Sequence, residues 1–389
     1  METQLLVLIL ITLGVFVIPF LVPLVKLPVA VGELLYGMAL LYTFQKFHIE
    51  ENAFVYIDFL AFLGFSLLMF LAGLEIDWNK LETLQRREKF VITLVVLTNF
   101  LLSLLVVKVL KFPLSVGLLL SSMGIGLMLT VLRELDLPSH FVQIVLITGS
   151  LGEVLTLLAL TVYDLYLSFR LGTSFYIHLC LIGVFGAVFV FLLKLLKLLV
   201  WYFPERVASL VVEETKAAVD IRTSFALMLL FMAFTSLIHV EPILGAFIAG
   251  TLLGFIFRDK EHFEGRLSAF GYGFLIPFFF IQVGLSFDFS ALSPLFLELT
   301  LFLTVGIFIV KLLASLWFKV LGFSLKEIFI ASLLFSFPFT VLIAIGKILH
   351  EKGVWNSTDF GVVILLTISS SVIFPLLVKI VVPSKSEGG

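Results

Sequence analysis

The sequence predicts an all-α polytopic membrane protein of about thirteen transmembrane helices, arranged as two inverted repeats with crossed discontinuous helices. Three observations predict it. The 389 residues are 61% hydrophobic and 13% charged, with a mean hydropathy of +1.21. Apolar windows long enough to cross a bilayer core of ~30 Å follow one another along the chain. A pattern of glycines and aspartates recurs at a nearly constant offset. A soluble chain is about half apolar and a quarter charged, so burial in a soluble core cannot absorb this excess. The formal charge of −2 excludes a basic nucleic-acid surface. The single cysteine, Cys180, excludes an internal disulfide and a cysteine-built metal cage.

The first window lies in METQLLVLILITLG, which has no basic n-region and no small-residue cleavage site, so it reads as a first span. Thirteen windows follow in order near 4–24, 28–46, 53–73, 89–111, 114–132, 142–168, 175–203, 217–239, 242–258, 266–287, 293–320, 326–349 and 359–382. Long loops are absent, so no soluble domain is expected, and no G-x-G-x-x-G follows a strand pattern. Lys and Arg concentrate after odd-numbered spans, with thirteen there, including Lys80, Arg86, Arg87 and Arg133. The opposite side holds Lys46, Lys111, Arg170 and Lys352. The positive-inside rule then puts the N-terminus outside and the C-terminus in the cytoplasm of a plasma (inner) membrane protein. The charged segment PERVASLVVEETKAAVDIR (204–222) reads as a joint along the cytoplasmic interface.

LPVAVGELLYGMALL (27–41) matches EPILGAFIAGTLLG (241–254), and FLGFSLLMFLAGLEID (62–77) matches FLIPFFFIQVGLSFD (274–288). Gly32 and Gly245, Gly37 and Gly250 are offset by 213; Gly73 and Gly284, Asp77 and Asp288 by 211. The offset spans seven crossings, an odd number, so the halves are inverted. Inverted repeats are typical of secondary transporters, whose site lies where broken helices meet.

The same offset pairs SSMGIGLMLT (121–130) in the fifth span with FSFPFT (335–340) in the twelfth. Glycine weakens a helix interior and proline removes a backbone bond, and freed backbone groups survive at membrane depth only inside protein or beside a cavity. Unwound crossing segments are expected at Ser121, Ser122, Met123 and Gly124, and at Ser336, Pro338 and Thr340. Ordinary small-residue helix packing is the competing explanation.

Glu153 stands alone in the apolar run ITGSLGEVLTLL. Lys311 lies well inside span eleven, about eight residues from Lys319, too far to snorkel. A buried ammonium needs an acceptor, and a Glu153–Lys311 pair would account for both charges. Asn99 falls at the repeat position of Lys311. Glu33, Glu75 and Asp77 lie near span ends, Asp164 could help admit cations or pair with Arg170, and Gln282 reads as interhelical glue. The six histidines make no ligand cluster, and no H-E-x-x-H, paired aspartates or nucleophile elbow points to an enzyme.

LPVAVGELLYGMAL, LLMFLAGLEID, SSMGIGLMLTVLRELDL, EPILGAFIAGTLLG and FLIPFFFIQVGLSFD together resemble the monovalent cation:proton antiporter family that includes Kef-type and bacterial Na+/H+ exchangers, over about residues 20–380. The resemblance implies an ion-translocating core (89–170 and 291–384), a dimerisation scaffold (1–88 and 206–290) and a linker helix (171–205). It implies a homodimer in lipid, no cofactor beyond the transported Na+ or K+ and H+, and, within this chain, no regulatory domain. By position, Glu153 matches the acid that binds cation or proton, Lys311 the lysine of the matching helix, and Ser122 and Pro338 the crossing point. Where the family has Asn-Asp, Asp-Asp or Gln-Asp, this chain has Gly152-Glu153.

The expected function is antiport by alternating access, with Glu153 binding either a proton or a dehydrated monovalent cation and with Ser122, Ser150 and unwound carbonyls completing the shell. A cation channel or leak pathway, an organic-anion symporter, and an ion-binding subunit that does not transport stay open as alternatives.

Overall fold

In the computed structural model, the structure describes residues 2–25, 27–46, 54–75, 83–202, 219–238, 240–256 and 260–382. Residues 203–218, which hold most of the expected interfacial joint, lie outside the described residues, as do Asp77, Lys80 and Arg206. The described elements are helical, and each expected span coincides with a helix or a pair of helices. The first four are α1 (Glu2–Leu21), α2 (Val29–Lys46), α3 (Val55–Leu74) and α4 (Arg86–Leu110). The fifth span is two short helices, α5 (Leu114–Ser121) and α6 (Gly126–Glu134). Next come α7 (Ser139–Phe169), α8 (Thr173–Tyr202), α9 (Val219–Leu237) and α10 (Pro242–Ile256). The tenth span is α11 (Lys260–Phe270), a π-helical turn at Gly271–Leu275, and α12 (Ile276–Leu285). The last three are α13 (Pro294–Ser315), the broken pair α14 (Leu325–Phe335) and α15 (Phe339–Glu351), and α16 (Ser357–Val381). Among the described residues, nine helical stretches are long and apolar enough to cross a membrane, with three shorter apolar ones.

Local chemistry explains the ends. Gln85 and Glu88 form a capping box that opens α4, and Lys111 closes it in the left-handed region at φ 58°. Ser324 with Glu327 opens α14 just after Gly322 at φ 90°, and Asn356 with Asp359 opens α16 just after Gly353 at φ 68°. The π turn, in GYGFL, is invisible to hydropathy, which registers only continuous apolar length.

The chain divides into two compact units, one of residues 1–61, 80–157 and 277–389, the other of 62–79 and 158–276. In the first unit, an apolar cluster joins α4, α6, α7, α14 and α16 through residues such as Val95, Met128, Phe141, Phe335 and Phe374. A second cluster joins α1, α2 and α12 through Val7, Ile11, Leu40, Phe44 and Phe278. In the second unit, α9 packs along α10.

Glycine pairs show how the repeat is used. In the first unit, a Cβ on Gly37 of α2 would run into the Ile281 carbonyl and stand 2.9 Å from Gly284 Cα of α12, and one on Gly284 would meet Gly37 in return. In the second unit, a Cβ on Gly250 of α10 would collide with the Phe70 carbonyl of α3, and one on Gly73 with that of Phe247. Each contact joins the first element of one repeat to the second element of the other. The recurring glycines are therefore close-packing positions, as small residues are in membrane helix interfaces.

Candidate functional site

Both expected breaks are present, and they touch. Residues 122–125 separate α5 from α6, and residues 336–338 separate α14 from α15. A Cβ on Gly124 would lie 3.2 Å from Pro338 Cα and 3.5 Å from Val341 Cγ2. Ser122 and Ser336 each stand at the end of the helix that leads into a break and act alike: the Ser122 hydroxyl donates to Leu119 O (2.7 Å), that of Ser336 to Ser332 O (2.6 Å). Pro338 contributes no N–H, and Phe339 N donates to Phe337 O across the break (2.8 Å).

A helix that stops inside a protein leaves its last four carbonyls without intrahelical partners. In α5 each of the four finds one. Leu118 O accepts from the Ser121 hydroxyl (3.1 Å) and Leu119 O from Ser122. Leu120 O accepts from Lys311 Nζ (2.9 Å), and Ser121 O from Asn99 Nδ2 (2.7 Å). Lys311 Nζ also donates to Asn99 Oδ1 (2.8 Å), so α4, α5 and α13 are tied at one point. Asn99 and Lys311 are 212 positions apart, so these repeat equivalents bond directly to each other.

The start of α6 serves Glu153. The Ile125 amide donates to Glu153 Oε2 (3.2 Å), while Oε1 is buried without a hydrogen-bond partner among the described residues. Glu153 is 1% exposed and Lys311 0%.

These bonds correct the expected Glu153–Lys311 ion pair: the two do not bond to each other. The reason is the break itself. It creates a negative helix end at Leu120 and Ser121, which takes the ammonium, and a positive helix start at Ile125, which takes the carboxylate. Each charge is compensated by a half-helix rather than by the other charge.

The remaining expected residues fall as follows. Ser150 is buried on α7 one turn before Glu153, with its hydroxyl on Leu146 O (2.9 Å). Ser122 and Ser150 thus bond within their own segments, and neither bonds to Glu153. Thr340, in the first turn of α15, lies with its Cγ2 4.0 Å from where a Cβ on Gly126 would stand. Met123 covers Gly152: a Cβ there would run into the Met123 sulfur and stand 2.9 Å from Met123 Cβ and Cγ. The bare backbone at residue 152 is occupied by a thioether from the break.

A second polar group bears out Gln282 as interhelical glue, while its partner Asp58 and the nearby Lys347 are not singled out from the sequence. Gln282 Nε2 of α12 donates to Asp58 Oδ1 of α3 (2.5 Å). Lys347 of α15 lies over the Phe279 ring (5.4 Å) and 3.8 Å from Glu351. At the other end of the core, His140 bonds to Glu88 (2.7 Å), and the Arg87 guanidinium to Val320 O. Glu33 is buried on α2.

An all-helical chain with this run of apolar spans has counterparts among known proteins. The family described as "Sodium/hydrogen exchanger, transmembrane" matches residues 9–383. The chain belongs to this family. The sodium/hydrogen exchanger fold is also that of a solved sodium proton antiporter, MjNhaP1 from Methanocaldococcus jannaschii. The two superpose with a TM-score of 0.67 over 97% of this chain and 96% of that one, at 17% identity. Among the chain's relatives is YjbQ of Bacillus subtilis, named as a candidate Na+/H+ antiporter, 26% identical over 94% of the chain. The chain spans 62% of the length of YjbQ. The Na+/H+ antiporter of Enterococcus hirae is 25% identical over 91% of each protein.

Proposed function

We propose that this chain exchanges a monovalent cation, Na+ or K+, for protons across the membrane by alternating access, with Glu153 as the shared cation and proton site. One observation carries the reading. The carboxylate of Glu153 is buried beside a helix break, with Oε2 held by a backbone amide and Oε1 without a partner. A bare carboxylate is costly in a low-dielectric interior. A proton or a cation on Oε1 neutralises it, so the loaded core crosses and the empty core does not. That rule couples the two fluxes.

Lys311 acts as the cap of α5, and its charge is engaged by Asn99 and Leu120 O. With one carboxylate exchanging its load and Lys311 so engaged, the exchange is one cation for one proton and electroneutral. Helices in 89–170 and 291–384 carry the site and move against a scaffold in 1–88 and 206–290 that dimerises. The N-terminus faces outside and the C-terminus the cytoplasm of the plasma membrane. The names of the relatives favour Na+.

The test uses purified protein in liposomes with an internal pH dye. With an imposed proton gradient, Na+, K+ or Li+ is added outside to wild type and Glu153→Gln. The expected result is saturable, cation-dependent dissipation in wild type and none in the variant. A wild type without cation-driven proton movement, or with cation flux uncoupled from protons as in a leak, refutes the reading.

A further inference from the structure

Two glycines on one face of α7 bear directly on the break. Gly149 and Gly152 are three residues apart, one turn of helix. A Cβ on Gly149 would lie 3.0 Å from Ile125 Cγ2 and 2.7 Å from Met128 Cε. One on Gly152 would lie 2.9 Å from the Cβ and Cγ of Met123 and closer still to its sulfur. Met123, Ile125 and Met128 are all fully or almost fully buried. The residue whose amide holds Glu153 is therefore seated on Gly149, and the residue two before it on Gly152.

We propose that Gly149 and Gly152 form a cradle that positions the Ile125 amide on Glu153, with Met123 and Gly152 as a size-matched pair of positioning residues. The proposal rests on the exchange reading above and adds to it the residues that set the geometry of the carboxylate. The two glycines differ in what they tolerate. Met128 Cε is the far end of a flexible side chain and can swing away from a methyl group at 149, and the Ile125 Cγ2 contact at 3.0 Å asks for only a small shift. Met123 Cβ is fixed to the backbone, so a methyl group at 152 must displace the backbone of the break. That displacement draws the Ile125 amide off Oε2 and leaves the carboxylate free to turn away from its cation. Side-chain volume at 152 and at 123 must then trade against each other.

Five proteins test this: wild type, Gly149→Ala, Gly152→Ala, Met123→Gly, and the double variant Gly152→Ala with Met123→Gly. Two readouts are used. The first is the KM and kcat of cation-driven proton movement. The second is hydrogen exchange of the peptide covering residues 122–128, which does not depend on transport. Gly152→Ala should raise the cation KM about tenfold or more, the effect of losing one hydrogen bond to a charged group, with kcat changed less than about threefold, and should lower protection in 122–128. Gly149→Ala should change KM less than about threefold. Met123→Gly should restore the KM of Gly152→Ala to within about threefold of Met123→Gly alone. A folded Gly152→Ala protein with wild-type KM and wild-type protection overturns the proposal, as does a double variant no better than Gly152→Ala. If Gly152→Ala does not fold, a Gly149→Ala protein more impaired than about tenfold overturns the graded cradle. A wild type that moves no protons but shows the expected exchange pattern refutes the exchange reading and upholds the cradle.

Discussion

The bond between Asn99 and Lys311 can be weighed. Lys311→Met keeps the length of the side chain and removes its donors. It orphans Leu120 O and Asn99 Oδ1, both in a buried place. Each orphaned buried group costs about 1–3 kcal/mol, so the variant should lose about 2–6 kcal/mol. Asn99→Leu orphans Ser121 O and takes one of two acceptors from Lys311. Because the two side chains share a bond, their losses are not additive. A hydrogen bond to a charged group is worth about 1.5–3 kcal/mol, but cycles within membrane proteins average ~0.6 and reach ~1.7. The low-dielectric surroundings and the charge place this pair near the top of the membrane range, at about 1.5 kcal/mol. The assay is reversible unfolding of wild type, both single variants and the double variant in mixed micelles. A coupling energy under about 0.5 kcal/mol refutes the claim that this bond secures the broken helix.

Two further tests follow from packing and from titration. Gly37→Ala and Gly250→Ala drive a methyl group into the carbonyls of Ile281 and Phe70, whereas a Cβ on Gly183 meets nothing within 4 Å. Thermal unfolding should show a loss of about 1–3 kcal/mol for each of the first two and none for Gly183→Ala, where alanine is the better helix former. At the α12–α13 connection, the Thr358 hydroxyl (2.5 Å) and Ser290 hold the Asp288 carboxyl below the ordinary aspartate value of 3.8. The folded protein therefore binds this proton more weakly than the unfolded chain does. The contribution is complete above pH 3.8 and is lost as pH falls through the lower folded value. Asp288→Asn should flatten stability against pH below about 4, while leaving the shape of the curve at neutral pH unchanged.

Much of the site is readable from the chain because its cause is local. Small residues and a proline inside an apolar window mark where a helix cannot hold its backbone bonds, and both breaks lie there, at 122–125 and 336–338. Glu153 is singled out by the same logic, a charge with no charged neighbour in its apolar run. Lys311 shows the limit. Its depth is evident from its distance to the span's end, but its partner is a backbone carbonyl, and every residue has one. Only the break in α5 turns Leu120 O into an acceptor that needs a donor. Gly152 is similar: its sequence neighbours say that a side chain is missing, and only the fold says that Met123 takes the space.

The sequence by itself determines the membrane class, the run of apolar spans, the recurring glycines and the place of Glu153 in an apolar helix, because hydrophobic length, glycine spacing and isolated charge are written along one dimension. The tertiary structure decides which charge meets which dipole, how α2 and α12 approach through Gly37 and Gly284, and that Asp58 and Gln282 join helices 224 residues apart in the chain. Those outcomes depend on backbone groups and excluded volume that exist only once helices have broken and packed. No ordering of residues along the chain carries them until the chain has folded.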